Sequence, residues 1–242
     1  EDNAKSLVAN VKKLPKATKD SEAYTGLDRS IKEFLSTCPL INSLRQPAMR
    51  ERHWEELMDV TKKEFSVPSS DPNFRLRDLL DLNLHQFSEQ VEDITDKATR
   101  EAKHEETLKS LQATWTSVVF IMTPYKTTDV PLLKLSEEDV ELLESDQLAL
   151  QGMVASRYVH FKPESIKWQQ MLGAISDVTQ VLSEIQRTWS YLEPLFIGSE
   201  EVKKELPETA ERFAGIDARV KTYLKKQWST KNIIKACNAD DL

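Results

Sequence analysis

Apolar residues recur along this chain with the spacing of helices. The most regular stretch places Leu84, Phe87, Val91, Ile94 and Ala98 at steps of three and four, and the stripe resumes at Leu108, Leu111, Trp115 and Val118. Read as one helix from Asp78 to Trp115, it would be about 55 Å long at ~1.5 Å per residue. The stripe turns polar over Glu101 to Glu105, where the helix is expected to leave its partner or face water. A second long helix is predicted from Glu164, carrying Leu172, Ile175, Leu182, Ile185, Trp189 and Leu192, and bent or stopped at Pro194. Gly198-Ser199 restarts a short helix, and Pro207 opens a last one through Phe213, Ile216, Val220 and Leu224.

Shorter signals fill the gaps. Residues 1–26 are charged and broken by Pro15 and Gly26, which reads as a short helix and a tether. Leu27 to Leu35 suggests a helix ending at Cys38-Pro39, because the residue before proline disfavours the α region. Pro47 fits the first turn of a helix running through Trp54, Leu57 and Met58 to about Phe65, and Ser66 to Asn73 is a loop on composition. Residues 116–135 then change period: TSVVFIMTPYK, a TTD turn and VPLLKL predict a β-hairpin. Pro131 confines the second strand to an edge or to its first residues. Such a hairpin is marginal alone and should lie against helices or pair elsewhere in the molecule. Ser136 and Asp139 have N-cap and N3 spacing, with Leu135 and Val140 placed as a staple. The helix they start carries Val140, Leu143, Gln147, Leu150 and Val154, and a loop through Phe161 and Pro163 follows.

Composition narrows the class. Five glycines in 242 residues is about 2%, against roughly 7% on average, which argues against glycine-rich α/β folds and sandwiches. A net charge of −7 and a pI near 5.3 disfavour a nucleic-acid surface. No stretch approaches the ~20 apolar residues of a membrane span, and residues 1–25 lack the apolar core of a signal peptide. Cys38 and Cys237 stand 199 positions apart, which fits a reducing compartment better than a disulfide framework or a zinc site. The first residue is Glu1, so the chain is expected to be processed or cut from something longer.

Candidate chemistry is sparse. There is no phosphate-binding glycine loop and no nucleophile elbow. His53 and Glu56 share a helix face, and His104-Glu105 begins like a zinc-protease motif, but position 108 is Leu. A metal site needs three or four convergent ligands, so capped or solvated histidines are expected instead. Glu137-Glu138-Asp139 and Glu200-Glu201 lie at helix starts, where the macrodipole accounts for them, and Lys225-Lys226 near a helix end has the converse explanation. Trp54, Trp115, Trp168 and Trp189 fall on apolar stripes and read as core. No catalytic, cofactor or metal residue is predicted.

Four stretches carry a family resemblance: MRERHW (Met49 to Trp54); Leu108 to Leu135 with Trp115, Phe120 and VPLL; LLESDQLALQGMVASRYV (Leu142 to Val159); and WQQML (Trp168 to Leu172) continuing to EIQRTWSYLEPLFIGSEEVKKELPE, which ends at Glu208. Together they resemble the N-terminal part of the linker of a dynein heavy chain. QRTWSYLE followed by FIGSE is the most specific run. The spelling looks axonemal rather than cytoplasmic, and closer to outer-arm chains of the β type. The similarity covers about Leu27 to Leu224.

That resemblance implies an elongated, mainly α-helical rod with one small β-hairpin, arching over a ring of ATPase modules and swinging in the power stroke along microtubules. It also implies a non-catalytic element whose partners are the ring modules of the same heavy chain. ATP and magnesium would belong to the parent motor's ring, and microtubules would be reached only through the parent protein. Localisation would be the cytoplasm and cytoskeleton, in the axoneme of a cilium or flagellum. Neither nucleic acid nor membrane is an expected partner. Leu182 departs from the family, where Trp is frequent.

The resulting organisation is a mainly α fold: residues 1–26 unplaced, a helical subdomain over 27–115, the hairpin over 116–135, a second helical subdomain over 136–227, and an unassigned end over 228–242. The competing class is a spectrin- or plakin-like scaffold that tethers partners, which should repeat about every hundred residues; no repeat is present. A compact domain of 242 residues has a radius of gyration of roughly 18 Å. Small-angle scattering is expected to give a clearly larger value, and a globular profile would exclude the rod.

Overall fold

The computed structural model describes residues 2–68 and 70–238. Among the described residues helices dominate, with one two-stranded antiparallel sheet. The chain divides into two compact units, Glu1–Lys103 and His104–Leu242, and the division falls inside a helix.

In the first unit α1 (Asp2–Lys12) packs on α3 (Glu22–Leu44), burying Ala4 and Val11. Residues 1–26 therefore hold more than a tether: α2 (Lys16–Lys19) follows Pro15, and Gly26 lies inside α3 without breaking it. The start of α3 is set by Ser21, whose hydroxyl accepts the Tyr24 N–H at 3.2 Å. The expected stop at Cys38-Pro39 does not occur. Beyond the proline, Leu40, Ile41 and Leu44 are all buried, and their burial outweighs the one helical bond that Pro39 cannot make.

Two other boundaries differ from the sequence reading. Pro47 lies in a turn, and α4 starts later, over Glu51–Thr61, ending on Lys62 in the left-handed region. The helix expected from Asp78 to Trp115 is broken: α5 spans Leu76–Leu80, Asn83 takes φ 54°, a 3-10 turn covers Leu84–Phe87, and α6 spans Ser88–Ser117. The reason is packing. Leu82 and Leu84 are both buried, yet two positions apart on a helix they would point about 200° away from each other. A residue that tolerates positive φ resolves the conflict. The loop over Ser66 to Asn73 forms as read, with Ser69 outside the described residues.

The polar stretch of α6 does not face water throughout. Glu101 is 1% exposed and receives the Arg52 guanidinium, with Nε at 2.7 Å from Oε2. His53 of α4, also buried, meets the same oxygen at 3.1 Å. Its Nδ1 accepts the Arg50 N–H at 3.0 Å, so the neutral ring carries its proton on Nε2 and donates to Glu101. His53 is thus a capped histidine joined to a buried carboxylate.

In the second unit β1 (Ile121–Pro124) pairs with β2 (Pro131–Lys134), in register Ile121↔Lys134 to Pro124↔Pro131. Pro131 is the first residue of its strand, as its missing N–H requires. Ser136 caps α7 (Glu137–Ala155), accepting the Asp139 N–H at 3.0 Å, with Leu135 buried and Val140 41% exposed. The long helix α8 (Lys162–Phe196) runs two residues past Pro194. A Cβ at Gly198 would stand 2.7 Å from the Pro194 carbonyl oxygen, so the chain leaves α8 through a position only glycine fits. Ser199 then caps α9 (Glu200–Glu205) and α10 spans Pro207–Thr230.

The unassigned end is structured up to residue 238. Ile233, Ala236 and Cys237 of α11 (Ile233–Cys237) are buried, Val119 bridges Asn232, and the Ile233 N–H donates to Val118 O at 3.2 Å. Residues 239–242 lie outside the described residues.

Burial holds the His53 imidazole below its ordinary 6.5, against the pull of Glu101. As pH falls the unfolded chain binds that proton first, so the stabilisation is present above about 6.5 and lost below it. Burial alone would raise the Glu101 carboxyl, but Arg52 and His53 outweigh it and hold it below 4.5, so its contribution is lost only at lower pH. Melting temperature is therefore expected to drop between pH 7 and pH 5, with a smaller drop in His53→Asn; equal slopes would exclude the histidine.

Candidate functional site

Three elements of the second unit meet at Trp189. Its ring on α8 is 2% exposed, and its indole N–H donates to Asp217 Oδ1 on α10 at 2.9 Å. The other Asp217 oxygen takes the Lys221 ammonium at 2.8 Å, and the same ammonium sits 5.9 Å from the indole centroid. From the hairpin side, the Tyr125 ring packs 4.5 Å from Trp189, tilted by 51°.

Tyr125 also repairs a helix defect. Pro194 has no N–H to give the carbonyl four residues back, that of Ser190, and the Tyr125 hydroxyl lies 3.2 Å from this oxygen. The hydroxyl also lies 3.0 Å from Glu193 Oε2. The Lys126 ammonium, at 2.7 Å, holds the Glu193 carboxyl below its ordinary range, and Glu193 in turn raises Lys126.

One turn earlier on α8, the Gln186 side chain pairs with the backbone of β2. Leu133 N–H donates to Gln186 Oε1 at 2.6 Å, and Gln186 Nε2 donates to Leu133 O at 2.9 Å. A side-chain amide here occupies both backbone groups of one strand residue, as a neighbouring strand would. Lys225 of α10 reaches Asp129 in the hairpin turn at 2.6 Å, but Asp129 is solvent-exposed and this pair adds little. The polar groups of α8, α10 and the hairpin are thus aimed at one another.

The residues singled out for possible chemistry are dispersed. Glu56 pairs with Lys97 rather than with His53, Glu105 pairs with Lys109, and His160 stacks edge-on against Phe161. Among the described residues no group of three or more His, Cys, Asp or Glu is placed to hold a metal. Both cysteines are free thiols. Trp54, Trp115, Trp168 and Trp189 are all buried, as read. Periodicity missed the polar half of the junction: it selected Ile185 and Ile216, which are 42% and 52% exposed, while Gln186 and Asp217 beside them are buried. Trp115 has a similar hidden partner, donating to Asp146 Oδ2 at 2.8 Å.

Against known families, residues 1–242 match the model for dynein heavy chain, N-terminal region 2. The chain belongs to the dynein heavy chain family. It is 49% identical over its whole length to the dynein α chain of the flagellar outer arm of Chlamydomonas reinhardtii. It is 40% identical, over 98% of its length, to the ciliary dynein β chain of Tripneustes gratilla. Against axonemal dynein heavy chain 17 of Homo sapiens, identity is 36% over 99%. Both α and β chains of the flagellar outer arm of Chlamydomonas reinhardtii are among its relatives. The chain spans 5% of the length of each of these relatives.

Within this dynein segment, Trp189→Ala is expected to cost about 3–5 kcal/mol through lost burial and the cavity left behind. Trp189→Phe keeps most of the ring but leaves Asp217 Oδ1 without its donor, for about 1–3 kcal/mol. Denaturant unfolding of both variants checks the order, and a phenylalanine variant as stable as the parent would remove the indole–carboxylate bond from the account.

Proposed function

We propose that this chain is the distal, N-terminal part of a dynein linker: a non-catalytic lever that bends over the ATPase ring of its own heavy chain to produce the power stroke. The observation that carries the reading is the Trp189 junction, where two long helices and a hairpin are fixed by buried polar bonds and an aromatic contact. A lever delivers work only if its helix crossings do not slip under load. Buried, directional bonds resist slip better than apolar contact alone, because displacement leaves polar groups unsatisfied.

The chain is an axonemal protein of the cytoskeleton, in a cilium or flagellum. In the whole heavy chain, we assign ATP and magnesium to the ring, microtubule contact to parts outside this segment, and the ring modules to the partners of the lever.

The test is made in the parent motor. With Trp189→Ala, microtubule gliding is expected to slow while basal ATPase persists, since the residues that hydrolyse ATP lie elsewhere. Gliding speed and ATP turnover are measured on the same preparation. Equal losses in both, or none in either, would overturn the lever role; a tethering scaffold predicts no such dissociation.

A further inference from the structure

The first unit holds a cavity of about 700 Å³ that the lever reading does not use. Its volume falls in the ~300–1,000 Å³ range of binding pockets. Ile41, Leu44, Trp54 and Leu79 are buried along it, Phe34 and Phe74 stand half-buried, and Leu76 is 53% exposed at the mouth. Two cations flank this apolar interior. Arg45 follows the last residue of α3 and Arg75 precedes α5; both are exposed, and neither pairs with a carboxylate among the described residues. The chain carries a net charge of −7, yet the charged residues lining this hole are Arg45 and Arg75, with no carboxylate among them. Arginines on two separate elements fit a ligand with several carboxylates spread across the mouth better than an amphiphile with one anionic head.

We propose that this cavity docks an acidic peptide segment of a partner protein, which inserts a bulky apolar side chain among Ile41, Trp54 and Leu79 and sets flanking carboxylates against Arg45 and Arg75. Burying an aromatic or leucine side chain supplies the affinity, and the arginines supply the sign of charge that is accepted. The proposal is independent of the lever reading, because the binding is a property of the 242-residue chain itself.

The probe is a fluorescein-labelled peptide with a Trp-Leu pair flanked by glutamates, titrated against the whole chain by anisotropy. Saturable binding is expected. It should weaken about fivefold with each of Arg45→Glu and Arg75→Glu, which are surface changes that leave folding intact. Replacing the peptide's glutamates by lysines, or its Trp-Leu by serines, should abolish binding. Cys38 gives a second readout. It lines the cavity half-buried, whereas burial pushes the Cys237 thiol up to about 12, so neutral-pH iodoacetamide labels Cys38 alone. Bound peptide should slow that labelling. Absence of saturable binding, equal binding of the lysine peptide, or indifference to both arginine variants would overturn the proposal. So would arginine-dependent binding of dodecanoate with no binding of the peptide, which would make the cavity a site for small amphiphiles.

Discussion

Much of the second unit depends on a few polar groups that must be buried together or not at all. Trp189 and Asp217 satisfy each other across α8 and α10, and Gln186 satisfies both backbone groups of Leu133. Each bond contributes only about 1 kcal/mol net, but leaving a buried partner unpaired costs about 1–3 kcal/mol. This asymmetry fixes register. A helix held by leucines alone can shift and still bury them, whereas a shift here strands a carboxylate, an indole N–H and two backbone groups. Tyr125 adds a further constraint by covering the carbonyl that Pro194 leaves without its helical donor, which ties the hairpin to the last turns of α8.

The first unit uses the same logic with charge. Glu101 lies in the core between Arg52 and His53, and burial favours the neutral form of His53, whose Nδ1 accepts the Arg50 N–H. One side chain thereby caps α4 and joins it to α6. Removing a partner from such a cluster is far more damaging than its net contribution suggests, since the remaining charge stays buried. Aromatic contacts of Trp54 with Phe65 and Phe74, at 6.2 and 6.3 Å, surround α4 with apolar packing that adds shape without polar demands.

Local propensity lost to packing at identifiable places. Pro39 lies within α3 because the next turn buries Leu40, Ile41 and Leu44, and a break at Asn83 splits the expected Asp78–Trp115 helix because Leu82 and Leu84 must both turn inward. Propensity terms of up to a few kcal/mol compete here with burial worth roughly 1.5–3 kcal/mol per large side chain. Several buried side chains outweigh one missing hydrogen bond.

The sequence by itself determined the helical class, the hairpin, the loop at Ser66 to Asn73, the cap at Ser136, the helix restart at Gly198-Ser199, the four buried tryptophans, and the dynein family. Each of these is written in spacing, turn chemistry or a run of adjacent residues, all visible along one strand of text. Only the tertiary structure decided which neighbour of Ile185 or Ile216 turns inward, that Glu101 is core, and that Tyr125 completes a helix sixty-five positions away. Hydrophobic periodicity scores a residue by its own side chain. A buried glutamine, aspartate or glutamate is stable only because of a donor or acceptor brought in by another element, and that partner exists only once the chain has folded.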